Sequence, residues 1–150
     1  MINNENYLEL LNWGLPKEIQ EKNITILANN KEINNQAFVQ QGDKGCWLNE
    51  VKVLEKRGYP YISDVIPQLF EYLQDINWPG SRETYQLLLS LPRDVFIKNL
   101  ELSVEKAINT NDESWLGWMY KFIIDLDIKK EEFIKEENYI ILKNNNEYYN

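Results

Sequence analysis

The sequence predicts an all-α fold. Apolar residues recur at helical spacing along nearly the whole chain, and no segment alternates convincingly with a period of two. The links between successive helical stretches in the second half are also only a few residues long. Short links make consecutive helices antiparallel neighbours, so residues 62–124 are expected to form two helix hairpins stacked side by side. Helix starts near 63 and 94 lie about one helical-pair repeat apart. The expected architecture is therefore a HEAT-like αα-superhelix within a single domain spanning 1–150, with a repeat-like core at about 46–126. The alternative is an irregular helical bundle.

The elements follow in order. A short helix covers about 4–13, with Gly14 placed to cap it. Pro16 suits a first helical turn, so PKEIQEKNITILANN forms the second helix. Residues 30–45 show no period and contain two glycines, which predicts a loop with at most one helical turn. In CWLNEVKVLEKRG, Trp47, Val51 and Leu54 share one helix face, and Gly58 is positioned as a left-handed cap. SDVIPQLFEYLQDIN carries a broad apolar stripe, and Pro67 must fall near its first turn, which fixes the start at Ser63 or Asp64 as the cap.

SRETYQLLLSL is a short helix ended by Leu91–Pro92, because a residue before proline avoids helical geometry. DVFIKNLELSVEKAIN turns Ile97, Leu100, Val104, Ala107 and Ile108 inward, and DESWLGWMYKFIIDL brings Trp115, Trp118, Met119, Phe122, Ile123 and Leu126 to one side. At the end of the chain, residues 139–142 fit either a short strand or a last helical turn, and the Asn-rich tail at about 143–150 is expected to fray.

One stretch looks like either chemistry or a corner: YLQDINWPG, residues 72–80. It is echoed near the front of the chain, where residues 7–13 read YLELLNW, with Leu11 in the place of Ile76. Both copies end a helix before a Gly or Pro, which predicts a repeated helix, Asn-Trp corner, helix unit. In that reading Asp75 and Asn77 satisfy free backbone groups at the corner while Trp78 packs into its angle.

Composition narrows the function classes. A net charge of −8 with only three arginines argues against a nucleic-acid partner and favours solubility or steering toward a basic protein. A single cysteine, Cys46, cannot close an intramolecular disulfide and suits a reducing cytoplasm. The start of the sequence has no signal-peptide pattern, and no apolar run reaches membrane-spanning length.

The chain has no histidine, so imidazole-activated nucleophiles and imidazole metal ligands are absent. Cys46 therefore lacks the usual base and reads as a small residue at a helix start. Gly42 and Gly45 do not sit in a phosphate-loop frame, and DLDIKKEEF lacks the ligand spacing of a calcium loop. No cofactor, metal site or catalytic residue is assigned. Five tryptophans are many for core filling alone, and one or two are expected at the surface as interface anchors.

With LQDINWP at 73–79, CWLNEVKVLEKRG before it and ESWLGWM after it, the chain resembles a small family of uncharacterised bacterial domains carrying an LQDxNWP signature. The resemblance runs from about residue 7 to 126 and departs from the pattern at Leu48, where a polar residue would be expected. It implies an all-helical, HEAT-like domain without assigned catalysis, of the kind suspected to act as immunity or other protein-binding partners.

The expected function is therefore non-enzymatic protein binding, as an immunity-type protein facing a basic toxin. Trp78, Trp115 and Trp118 are the candidate anchors and Asp75 and Asn77 their polar companions. A different class, a carboxylate-only hydrolase or lyase with or without magnesium, would need Asp75, Asp125 and Asp127 to converge. A third reading is a purely structural subunit that associates through residues 139–142.

Overall fold

The computed structural model describes residues 9–145. Among them the fold is all-helical, with no strand. The helices are α1 (Lys17–Asn29), α2 (Lys44–Arg57), α3 (Ile66–Glu71), α4 (Ser81–Leu89), α5 (Arg93–Asn109), α6 (Glu113–Asp125) and α7 (Glu136–Lys143). Short 3₁₀ segments lie at Asn35–Phe38, Ser63–Val65, Tyr72–Gln74 and Lys130–Glu132. The chain forms two compact units. Unit 1 comprises the described residues up to Ile66 together with Asn77–Thr84, and unit 2 comprises Pro67–Ile76 and the residues from Tyr85 onward.

In unit 1, α1 packs against α2. Asp43 caps α2, its Oδ1 accepting the Gly45 N–H at 2.7 Å. Gly58 closes the helix at φ 71°, its N–H donating to the Leu54 carbonyl at 2.9 Å. Its ψ of 166° is extended rather than left-handed helical, so the glycine stops the helix without the predicted left-handed cap. The last residue of α2, Arg57, runs inward. Its guanidinium donates to the carbonyls of Leu27 (3.1 Å), Asn30 (2.7 Å) and Ile33 (2.8 Å) and to Asn35 Oδ1 (2.8 Å). It also lies over the Phe38 ring, 4.8 Å from its centroid.

Three of these acceptors line the exit from α1, where terminal carbonyls have no partner inside the helix and the macrodipole is negative. One buried side chain thus joins the end of α1, the 3₁₀ turn after it and the end of α2. Burial pushes the Arg57 pKa down, while Tyr61 and Asp64 act in the opposite direction. Only Nε lacks a partner.

In unit 2, α5 and α6 are joined by the short link after Asn109 and pack together as a helix hairpin. Asp112 caps α6 through its Oδ1 and the Trp115 N–H at 2.9 Å. Phe70, Phe96 and Phe122 meet at centroid distances of 4.9–5.9 Å, and Tyr85 stacks on Phe122 at 4.3 Å and 5°. The segment before α7 is tied down from α5. Glu101 accepts the N–H groups of Ile134 (3.0 Å) and Lys135 (2.9 Å).

Several boundaries differ from the sequence reading. Residues 63–77 do not make one helix but a 3₁₀ turn, the six-residue α3 and a second 3₁₀ turn. Where α3 tightens, Trp115 Nε1 donates to the Phe70 carbonyl at 2.9 Å, and a side chain bonding into the helical ladder is a known cause of such breaks. Neither Ser63 nor Asp64 caps it: the Ser63 hydroxyl donates to the Pro60 carbonyl, and Asp64 accepts from Asn35 Nδ2 at 2.8 Å.

The first predicted helix lies partly outside the described residues. Its described end stops at Leu10, and Gly14 sits in a turn rather than at a left-handed cap. Residues 139–142 are helical, inside α7, rather than a strand. Residues 143–145 close that helix, and the rest of the expected frayed tail lies outside the described residues.

Replacing Arg57 removes donors from several part-buried acceptors at once. Arg57→Met is expected to lower unfolding free energy by about 3 kcal/mol or more, and Arg57→Lys to recover little of it because one ammonium cannot span the same carbonyls. Urea titration of the three proteins measures both.

Candidate partner-binding surface

The two Asn-Trp corners are best followed from α2 outward, because both close on that helix. At the first, the Trp13 N–H donates to the Gly45 carbonyl at 3.0 Å. Asn12 Oδ1 accepts the Gly14 N–H at 2.8 Å, bonding its own turn. Buried Asn49, one turn along α2, holds the same corner through Nδ2 to the Leu11 carbonyl (2.8 Å) and to Gln20 Oε1 (2.9 Å). The corner approaches so closely that a Cβ on Gly45 would lie 3.0 Å from Trp13 Nε1.

At the second corner, Gly80 adopts φ 89° and presses on the middle of α2. A Cβ there would stand 2.9 Å from Val51 Cγ2 and 3.1 Å from the Trp47 carbonyl oxygen. Trp78 meets Trp47 edge to face, with ring centroids 6.0 Å apart at 87°. Lys44 lies 5.7 Å from the Trp47 ring centroid. Three tryptophans, Trp13, Trp47 and Trp78, therefore gather around the first half of α2. Trp13 is 53% exposed, while Trp47 and Trp78 are half-buried.

Beneath them α2 buries two titratable groups. Cys46 is buried and its thiol is pushed up to about 11 by burial, then by Asp43 and Glu50, which leaves it a poor nucleophile. Glu50 is 0% exposed. Its Oε1 accepts the Gln41 N–H at 2.9 Å, while Oε2 has no partner. Burial raises its pKa to about 8, against the lowering effect of the Gln41 bond.

The other predicted site residues are distributed differently. Trp115 is 2% exposed, and its Nε1 bond to Phe70 makes it part of the core of unit 2 rather than a surface anchor. Trp118 is half-buried on α6. Asp75 is half-buried in unit 2, whereas Asn77 is exposed and belongs with Trp78 to unit 1. The structure thus brings Trp78 together with Trp47 within unit 1, and Trp115 belongs to unit 2. Trp13 was not singled out by the sequence, although the YLELLNW echo already marked its corner as equivalent to that of Trp78.

Of the carboxylates named for hydrolysis, Asp125 and Asp127 are held by other groups. Asp125 accepts from the Tyr85 hydroxyl and pairs with Lys121 at 2.7 Å. Burial pushes its pKa up, but the bonds from Lys121 and Tyr85 outweigh that and hold it below the usual carboxylate value. Asp127 is exposed and pairs with Lys129 at 2.8 Å. Glu132 accepts a bidentate fork from Arg93 (2.8 and 2.9 Å), and that fork together with the Lys129 N–H draws its pKa down to about 2. No group of three or more His, Cys, Asp or Glu side chains that could hold a metal occurs among the described residues, and no described helix is long and apolar enough to cross a membrane.

A recess of about 690 Å³ lies in unit 2 at the turn between α5 and α6. Glu71, Asp112 and Glu113 line it against a single cation, Lys106, which pairs with Glu71 at 3.4 Å.

Residues 46–147 match a family described as a domain of unknown function, DUF5071. The chain belongs to the DUF5071 family. No curated protein and no solved structure matches the chain. The matched DUF5071 region contains α2 from Cys46 onward, Trp47 and the Trp78 corner, while Trp13 lies before it.

Two outcomes test this geometry. Gly80→Ala should destabilise the protein by about 2–4 kcal/mol, since the new Cβ meets α2 and the backbone is left-handed; adding Val51→Ala should relieve only the steric share. Both variants can be ranked by thermal denaturation. Glu50 provides a pH signature. Its folded pKa lies above its ordinary 4.5, so its contribution is fully present below pH 4.5 and is lost as pH rises through about 8. Across that window the glutamate should cost stability at up to roughly 1.4 kcal/mol per pH unit. Glu50→Gln should flatten that slope in urea midpoints measured between pH 5 and 8.

Proposed function

We propose that this DUF5071 domain is a non-enzymatic protein-binding module that engages a basic protein, in the manner of an immunity partner facing a toxin. The observation that carries the reading is the gathering of Trp13, Trp47 and Trp78 around the first half of α2, with Trp13 largely in solvent. Tryptophans with an apolar body and a polar ring N–H are the usual anchors of protein interfaces. Trp78 and Asn77 keep the roles expected of them, and Trp13 joins them. Trp118 remains a candidate on unit 2, and Trp115 supports the fold.

Charge supports the choice of a basic partner. Residues 67–76 and 85–150, which make unit 2, hold 14 Asp and Glu against 8 Lys and Arg. The recess lined by Glu71, Asp112 and Glu113 suits a lysine or arginine side chain. Such a surface speeds encounter with a cationic protein and repels nucleic acid. The repeated Asn-Trp corner favours the HEAT-like reading of the architecture, and a cytoplasmic setting fits a lone, buried, unreactive thiol.

Calorimetric titration with the purified basic protein encoded beside this chain's gene tests the reading. Trp13→Ser, at an exposed ring, is expected to weaken binding by tenfold or more, about 1.4 kcal/mol, with unchanged circular dichroism. Adjacent genes that encode no basic protein, or an affinity indifferent to both Trp13→Ser and Trp78→Ser, would refute it.

A further inference from the structure

Unit 2 presents a second surface feature, independent of the aromatic corners. Ile134 is 87% exposed, more than any other described large apolar residue. Its backbone is nonetheless fixed on both sides. Phe133 is buried and packs edge-on against Tyr139 at 5.6 Å. The buried Glu101 carboxylate accepts the N–H of Ile134 and of Lys135, and Lys135 Nζ pairs with Glu105 at 2.8 Å. Beside Ile134 lies an apolar recess of about 250 Å³ whose other apolar wall is Leu102, itself 47% exposed. A rigidly held apolar knob thus borders an apolar hole.

The remaining lining of this recess is Lys98, Glu101, Glu105 and Lys135, two cations and two anions. Glu101 uses both oxygens on backbone N–H groups, and Glu105 is matched by Lys135. The patch is therefore electrically balanced in a chain of net charge −8. A strongly basic or acidic partner gains nothing from it. A second copy of this chain, repelled by like charge elsewhere, meets no such cost here. A knob and a hole side by side on one surface are also self-complementary under a two-fold axis, since each copy offers what the other receives.

We propose that this patch is a two-fold contact between copies of the chain, with Ile134 of each copy seated in the recess bordered by Leu102 of the other. The contact is small, so the dimer is weak and concentration-dependent. It is apolar between acidic molecules, so added salt screens the general repulsion and tightens it.

Sedimentation velocity of the full chain, from low micromolar to millimolar concentration at low and high salt, tests this. A monomer–dimer equilibrium that strengthens with salt is expected. Ile134→Asp should weaken it by about tenfold or more while circular dichroism and the melting temperature stay unchanged, because the side chain is exposed. Leu102→Arg, on the opposite wall, should do the same. A monomer at every concentration, a dimer that salt weakens, or a dimer that both substitutions leave intact overturns the proposal.

Discussion

A helix that ends inside a protein leaves carbonyl oxygens without partners, and a small domain with many short helices meets that problem repeatedly. In unit 1 the solution is Arg57. Its guanidinium reaches the carbonyls of Leu27, Asn30 and Ile33 together with Asn35, and the Phe38 ring lies beneath it. A planar group with several fixed donors can serve acceptors from three chain segments at once, which an ammonium cannot. Arg57 thereby ties the end of α1 and the irregular segment after it to the end of α2. The candidate surface is built on that same α2.

Unit 2 solves the same problem with other charged groups. Arg93 donates to the carbonyls of Leu126 (2.7 Å) and Asp127 (3.3 Å) past the end of α6 while its fork holds Glu132. Glu101 does the converse, accepting two consecutive N–H groups ahead of α7. This use of charge explains why acidic residues that look available for chemistry in the sequence are not gathered in the structure. Asp112, Asp125, Glu101 and Glu132 are each occupied by a backbone group, a hydroxyl or a cation. The carboxyl that stands apart is Glu50, with one oxygen unpartnered and its proton retained to about pH 8.

The Asn-Trp corners show how a structural joint and a candidate binding surface can share residues. The first corner is tied to α2 by Asn49 and by the bond to the Gly45 carbonyl; the second fits only because residue 80 has no Cβ. At both corners the tryptophan rings stay at or near the surface. An edge-to-face pair such as Trp47 and Trp78 holds its rings in fixed positions, and rigid aromatic rings lose little entropy when a partner covers them.

The sequence by itself determined the helical class and most helix positions, and it marked both Asn-Trp stretches as breaks between helices. These follow from local physics: apolar spacing, prolines that stop or start helices, and an Asn-Trp pair repeated before a break. It also placed Cys46 at a helix start, and the structure buries it there. Only the tertiary structure decided which tryptophan is which. Trp115 and Trp118 share a helix face in the sequence, yet Trp115 is sealed by a bond to Phe70, 45 residues away, and that bond lies where α3 breaks. Trp13 and Trp78 are distant in sequence and both close on α2. Arg57 gave no sign in the sequence beyond its place at a helix end, because its acceptors lie 22 to 30 residues before it. Spacing along one helix reports which residues share a face. What that face meets is set by contacts between distant segments, and those exist only once the chain has folded.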